Sequence, residues 1–144
     1  MRFSDDPEVF YECFRADIVT TERSSRRIGS ADVTFHCQPY TYYNAGDIFR
    51  TASACRDNPY DRCLPVYRVT ATDEAWMLTV NGNSLQGSQS CYIDIEKQET
   101  TTFEGEQINR TIYGDYLEMA LEEGENEISI TGGTVRIKPR WRSV

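Results

Sequence analysis

The residues that could carry chemistry in this chain are one histidine, five cysteines and many carboxylates. The histidine, His36, alternates with Phe35 and is predicted to be a surface or interface residue rather than a general base. Glu118, Glu122 and Glu123 are predicted to form a solvated edge rather than a glycosidase pair. The sequence contains no nucleophile elbow, Walker loop or His-Glu-x-x-His motif. We therefore expect no enzyme activity, no bound metal and no cofactor.

The cysteines do not have the spacing of a zinc site. Cys13, Cys37 and Cys91 fall at apolar positions of alternating runs and are expected to be small core residues. Residues 1–20 carry carboxylates early and lack the basic-then-apolar order of a secretory signal, so we expect synthesis in a reducing compartment and free thiols. A bridge between Cys55 and Cys63 remains an open alternative.

Charge limits the choice of partner. The formal net charge of −8 does not suit a surface that must neutralise nucleic-acid phosphates, so no nucleic-acid partner is expected. No apolar run is long enough to cross a bilayer, so we expect no membrane insertion. Basic residues cluster in one loop and near the C-terminus, either as solvated turns or as docking points for an acidic subunit: Arg23, Arg26, Arg27, Lys138, Arg140 and Arg142.

The pattern of short strands and turns predicts an all-β, antiparallel fold. A strand over residues 9–23 is favoured over a helical turn that would begin at Asp6 and Pro7. A second strand over residues 31–43 would complete a long hairpin, with Val33 and Phe35 on an apolar face that so short a segment cannot enclose. This face is a candidate subunit interface.

The rest of the chain divides into a turn-rich stretch and a strand-rich one. Residues 44–64 are predicted to be a linker and residues 65–144 an independently stable β-sandwich. Strands are expected at 66–71, 76–80, 91–95, 100–103 and 118–121, with a hairpin turn at Asn81-Gly82. Trp76 is predicted to be a core residue.

The C-terminal residues are predicted to form a terminal hairpin. Strands at 127–131 and 134–138 alternate apolar and polar residues, and Gly132-Gly133 between them supplies the conformations of a tight turn. Pro139 then ends the strand. Trp141 follows between two arginines, and we expect it to stack on its own domain or on a neighbour.

Four short motifs resemble the distal tail proteins of long-tailed, siphovirus-type bacteriophages. They are V-T-F-H-C-Q-P-Y at residues 33–40, L-T-V-N-G at 78–82, I-D-I-E at 93–96 and the ending G-E-N-E-I-S-I…P-R-W at 124–141. The motifs occur in the order and spacing of that family, and the resemblance covers residues 5–144.

The resemblance implies that residues 65–144 form a galectin-like, jelly-roll type β-sandwich. Residues 1–43 would then be the terminal hairpin of an otherwise absent N-terminal ring-forming domain. The implied function is structural: a virion component of the phage tail tip or baseplate, made in the bacterial cytoplasm, that connects the tail tube to the host-adsorption apparatus. The implied partners are the tail tube and the hub or receptor-binding subunits, with a homohexamer as the family's assembly.

Two other functions are compatible with these residues. One is a small carbohydrate-binding module that recognises host-wall glycans, with Trp141 as the sugar-stacking candidate. The other is a prophage remnant without a present role.

Overall fold

A computed structural model describes residues 1–23 and 29–144, with only the backbone described at Arg23. In this part of the chain the secondary structure is short β-strands joined by turns and four short 3-10 segments, and the strands pair antiparallel throughout. The strands are β1 (Val9–Phe10), β2 (Cys13–Arg23), β3 (Gly29–Cys37), β4 (Thr41–Tyr43), β5 (Arg50–Thr51), β6 (Asp57–Asn58), β7 (Val66–Ala71), β8 (Trp76–Val80), β9 (Asn83–Gly87), β10 (Cys91–Asp94), β11 (Glu99–Thr102), β12 (Gly124–Glu125), β13 (Ile128–Thr131), β14 (Gly133–Lys138) and β15 (Arg142–Ser143).

The body of the molecule consists of a five-stranded sheet and a three-stranded sheet. The larger has the order β11-β10-β7-β14-β5 and the smaller the order β13-β8-β9. Alternate side chains from both sheets enter one apolar core, as the period-2 pattern predicts. Its largest fully buried members include Tyr67, Trp76, Leu78, Leu85, Ile93, Ile95, Leu121 and Ile137. The all-β, antiparallel prediction is confirmed, and the galectin-like type stays a prediction.

The predicted terminal hairpin is wrong. β13 pairs with β8 in the smaller sheet, whereas β14 pairs with β7 and β5 in the larger one. The chain therefore crosses from one sheet to the other at Gly132, whose φ is +72°, while the φ of Gly133 is not positive. The Gly132 carbonyl accepts hydrogen bonds from the backbone N–H groups of Thr72 and Asp73, which lie in the connection that takes the chain from β7 in the larger sheet to β8 in the smaller one. The connection from β7 to β8 and the connection from β13 to β14 therefore lie side by side, because β13 pairs with β8 and β14 pairs with β7.

Residues 44–64, predicted as a linker, pack closely on the sandwich. β5 forms the edge of the larger sheet, and β6 pairs with β12. Cys55 and Cys63 are both fully buried in the core. This segment contributes strands and core volume to the sandwich, whereas the division into domains at residues 44 and 64 stays a prediction.

Residues 1–43 form a base and a projecting hairpin. The base is a small sheet of order β1-β4-β15, which ties the N-terminal part to the C-terminus. The hairpin is β2 paired with β3, and we call this pair the arm. Strand rather than helix forms over most of 9–23, as favoured, but the predicted 31–43 strand is interrupted at residues 38–40. The prediction of a strand over 118–121 is wrong, since Leu117–Met119 is a 3-10 turn.

Candidate docking surfaces

The arm has one apolar face and an opposite face that carries ion pairs together with the exposed ring of Phe14, whose centroid lies 6.3 Å from that of His36. Cross-strand register places Ala16 opposite Phe35 and Ile18 opposite Val33, so these side chains share a face. Val33 and Phe35 are 43% and 45% exposed, and Ile18 is 69% exposed. Among the described residues no further strand pairs with the arm. The apolar face of the arm is therefore open to solvent in the single chain.

The polar face of the arm is organised around one carboxylate. Asp17 accepts a hydrogen bond from Arg15 Nε at 2.8 Å and lies 2.9 Å from His36 Nε2. The hydrogen bond from Arg15 lowers the pKa of Asp17, desolvation opposes this, and His36 adds a smaller lowering. His36 is exposed, as predicted for a surface or interface histidine. This face can hold its charges without a partner, unlike the apolar face.

The basic residues of the arm's connecting loop are only partly described. Arg26 and Arg27 lie outside the described residues, and Arg23 is described by its backbone at the end of β2. Their role in an interface stays a prediction.

The basic residues at the end of β14 and just after it are paired within the chain. Arg140 donates two hydrogen bonds of 2.8 Å to the Asp94 carboxylate and one of 3.1 Å to Glu96. Lys138 lies 3.3 Å from an Asp47 carboxylate oxygen and over the Phe49 ring. These contacts hold the C-terminal segment on the larger sheet, so its cations are largely committed to their own domain.

The last two predicted interface residues also contact their own chain. Arg142 is 8% exposed, lies 4.0 Å from the Tyr40 ring centroid and donates to the Arg62 carbonyl. Trp141 is half-buried, with the Arg50 guanidinium 5.2 Å from its ring and the Tyr60 ring 5.7 Å away. Trp141 therefore contacts its own domain through Arg50 and Tyr60, and the expectation that it stacks there or on a neighbour stays a prediction.

The outer face of the larger sheet carries aromatic residues that sequence reasoning missed as a set. Tyr92 and Phe103 lie 5.0 Å apart between ring centroids, and the Arg68 guanidinium lies 5.9 and 5.1 Å from them. Arg68 Nε is buried without a hydrogen-bond partner in the described part of the chain. The available signal was the outward position of Tyr92 between the buried Cys91 and Ile93.

The cysteines separate into a buried set and a pair on the arm. Cys55, Cys63 and Cys91 are fully buried, and burial raises their pKa values to about 11, 12 and 12. All five thiols are free. Cys91 is a core residue as predicted, but the same prediction is wrong for Cys13, which is exposed, because the arm leaves the core. Cys37 is half-buried opposite Cys13 in the ladder.

The described residues contain no group of three or more His, Cys, Asp or Glu side chains arranged to hold a metal ion. In residues 1–23 and 29–144, no helix combines the length and the apolar character needed to cross a membrane. Glu118, Glu122 and Glu123 are exposed, in line with a solvated edge. No family model matches the chain, and no curated protein or solved structure matches it.

Proposed function

We propose that the chain is a structural component of a phage tail tip, a distal tail protein that connects the tail tube to the host-adsorption apparatus. Its arm would dock against a neighbouring subunit. The observation that supports this most is the uncovered apolar face of the arm, formed by Ala16, Ile18, Val33 and Phe35. The family resemblance of the four sequence motifs supplies the phage-tail context.

The energetics of the arm favour a partner. Covering a large apolar side chain contributes about 1.5–3 kcal/mol, and three such side chains, Ile18, Val33 and Phe35, stand on this face. Association costs entropy, but a preformed ribbon loses less than a disordered segment. The opposite face carries ion pairs around Asp17 beside the exposed Phe14, so the larger set of neighbouring apolar side chains for a partner to cover is on the apolar face.

The internal contacts of the body of the molecule suit a connector. The C-terminal segment is bound to the larger sheet through Arg140, and the base sheet ties the N-terminal strands to β15. A load applied at the arm would therefore pass to the body through the base sheet, in which β1 and β15 both pair with β4. The partners proposed are the tail tube, the hub or receptor-binding subunits, and further copies of the chain. For the isolated chain the sequence predicts that the arm packs on its own sandwich or self-associates, rather than forming the family's well-defined hexameric ring. Since the apolar face of the arm is exposed, we favour self-association.

The arm's role can be tested by light scattering. We expect the wild-type chain to associate with rising concentration, and Val33→Ser/Phe35→Ser to associate at least tenfold more weakly. The matched control is Arg15→Ser/Thr34→Ser, which alters the opposite face of the same strands. A wild-type chain that stays monomeric at high concentration, or a monodisperse hexamer indifferent to both double variants, would contradict the proposal.

The phage-tail context has its own test. A tape-measure gene just upstream and a tail-associated endopeptidase gene just downstream would support it. Mass spectrometry of purified virions should then detect the chain among the tail proteins. If purified virions lack the chain, the proposed phage-tail function is contradicted. The docking of the arm is then decided by the light-scattering test alone.

A second candidate is a carbohydrate-binding module, and one observation favours it. Phe103 is 39% exposed beside Tyr92 on the outer sheet face, with the guanidinium of Arg68 against both rings. Rings and a cation on a sheet face can hold an acidic sugar. A glycan array separates the two functions: binding that is lost in Phe103→Ala places the sugar on this face, and loss in Trp141→Ala places it at the C-terminal segment.

A further inference from the structure

The two cysteines of the arm face each other at its base. β2 begins at Cys13 and β3 ends at Cys37, and the two residues are direct cross-strand partners. The backbone N–H of Gln38 donates to the Glu12 carbonyl at 2.9 Å. In an antiparallel ladder, a bond between the outer neighbours of two partners marks those partners as a non-hydrogen-bonded pair. Cys13 and Cys37 are such a pair, and the side chains of non-hydrogen-bonded pairs approach each other most closely.

That position matches the geometry of a disulfide. Non-hydrogen-bonded partners have Cα atoms about 4.5 Å apart, which is inside the range of roughly 4.4–6.8 Å that disulfides span. The Cys13 Sγ now donates a hydrogen bond to the Arg15 carbonyl at 3.1 Å. A rotation of that side chain, with adjustment at the bulge that follows Cys13, would turn it toward Cys37.

Accessibility distinguishes this pair from the other thiols. Cys13 is exposed and Cys37 is half-buried, whereas Cys55, Cys63 and Cys91 are fully buried. Burial raises the pKa of Cys37, and the neighbouring Cys13 raises it further. Since the thiolate is the reactive form, the exposed Cys13 is the sulfur that a reagent would meet first.

We propose that Cys13 and Cys37 form a thiol–disulfide exchange site that closes across the base of the arm when it meets a small-molecule disulfide such as oxidised glutathione. The Cys13 thiolate attacks one glutathione sulfur, the glutathione S–S bond breaks, and one glutathione thiolate leaves. The Cys37 thiolate then attacks the Cys13 sulfur and releases the second glutathione. Two cysteine thiols are oxidised, one small-molecule disulfide is reduced, and the two thiol protons pass to the departing thiolates through solvent.

The bond would change how the arm joins the body. Between the base strands and the arm, the ladder is interrupted at residues 11–12 on one strand and 38–40 on the other. A covalent link at the first pair beyond that interruption would hold the two strands together next to the Gln38–Glu12 backbone hydrogen bond, where the ladder is not continuous. The site would therefore fix the arm's root at the end of its apolar face, two residues from Phe35, and leave Ile18, Val33 and Phe35 unchanged.

The experiment uses the full folded chain treated with oxidised glutathione, alkylated and digested with trypsin without reduction. Trypsin places each cysteine in a separate peptide, with Cys13 in residues 3–15 and Cys37 in residues 28–50. We expect one cross-linked product of these two peptides, with the loss of two hydrogens. The Cys37→Ser variant should instead accumulate a stable glutathione adduct on Cys13, while Cys91→Ala should react as wild type does.

Three results would overturn the proposal. They are a persistent glutathione adduct on wild-type Cys13, a principal product that links Cys55 to Cys63, and no reaction of the folded chain when the same peptides react after unfolding in urea. Circular dichroism of each variant before treatment confirms that the thiols were presented by folded protein. The Cys13→Ser variant adds a readout, because it should leave Cys37 unmodified.

Discussion

The guanidinium of Arg140 and the carboxylate of Asp94 form a two-bond ion pair, with both N–O distances at 2.8 Å. The pair joins the segment after β14 to the end of β10, two strands away in the same sheet. Both side chains are largely covered, at 21% and 17% exposure. The resulting contact holds the C-terminal segment on the body of the molecule.

Loss of this ion pair should destabilise the fold. Asp94→Asn removes the charge-assisted bonds, and hydrogen bonds to charged groups contribute about 1.5–3 kcal/mol each, so a loss of about 2 kcal/mol is expected in urea unfolding. The control is Glu122→Gln, which breaks the exposed Arg62–Glu122 pair and should cost no more than about 1 kcal/mol. Equal effects of the two variants would contradict the assignment.

The same pair predicts a pH dependence. Burial tends to raise the pKa of Asp94, but the hydrogen bonds from Arg140 and the Lys97 backbone outweigh it and hold the pKa below the ordinary 3.8. A carboxyl with a lowered folded pKa stabilises the fold above its unfolded pKa and loses that effect as pH falls through the folded value. The stability difference between wild type and Asp94→Asn should therefore be constant above about pH 5 and shrink below pH 3.8. A difference that grows on acidification would refute this.

Gly132 should tolerate substitution far less than Gly82. A Cβ at Gly132 would lie 2.0 Å from the Ala75 carbonyl oxygen, whereas one at Gly82 meets nothing within 4 Å. Both have positive φ, so each alanine carries strain of about 1–2 kcal/mol, and overlap adds about 1–3 kcal/mol at Gly132. Urea midpoints of Gly132→Ala and Gly82→Ala measure the difference. Similar midpoints would argue for an open hairpin turn at Gly132 instead of a crossover.

Asn126→Asp should be severely destabilising at neutral pH. The Asn126 amide is 1% exposed, and its NH2 donates to the carbonyls of Glu122 and Gly124 at 2.9 and 3.0 Å. An aspartate would aim a carboxylate oxygen at these acceptors, and an unpaired buried charge costs about 3–5 kcal/mol. The control, Asn83→Asp at the exposed first residue of β9, should stay within about 0.5 kcal/mol of wild type. Thermal unfolding at pH 7 compares the two directly.

Residues 44–64 should be required for a stable sandwich. A fragment of residues 65–144 lacks β5 and the buried side chains of Cys55, Asn58 and Cys63, so it leaves a core cavity and an open sheet edge. We expect a fragment of residues 44–144 to unfold cooperatively in circular dichroism and 65–144 to lose that cooperativity. Two fragments that unfold alike would restore the prediction of a sandwich confined to 65–144.

The sequence by itself determined the local structure. Alternation identified Val66–Ala71 and Trp76–Val80 at their observed bounds, and Asn81-Gly82 identified the turn between β8 and β9. These features depend on neighbouring residues alone, because a strand's faces follow from period 2 and a tight turn from residues that accept positive φ. The same reasoning placed Val33 and Phe35 on one face of the arm.

Only the tertiary structure decided which strands pair and which charges are free. Gly132-Gly133 is compatible with a hairpin or a crossover, and the pairing of β13 with β8 selects the crossover. The sequence alone does not show which residues pair with the cations near the C-terminus. The partners of Lys138, Arg140 and Arg142 are Asp47, Asp94 and Tyr40, all distant along the chain. Cys13 and Cys37 likewise become partners only through the ladder. Each of these depends on long-range contacts, whose energies come from packing and pairing that local residue patterns do not encode.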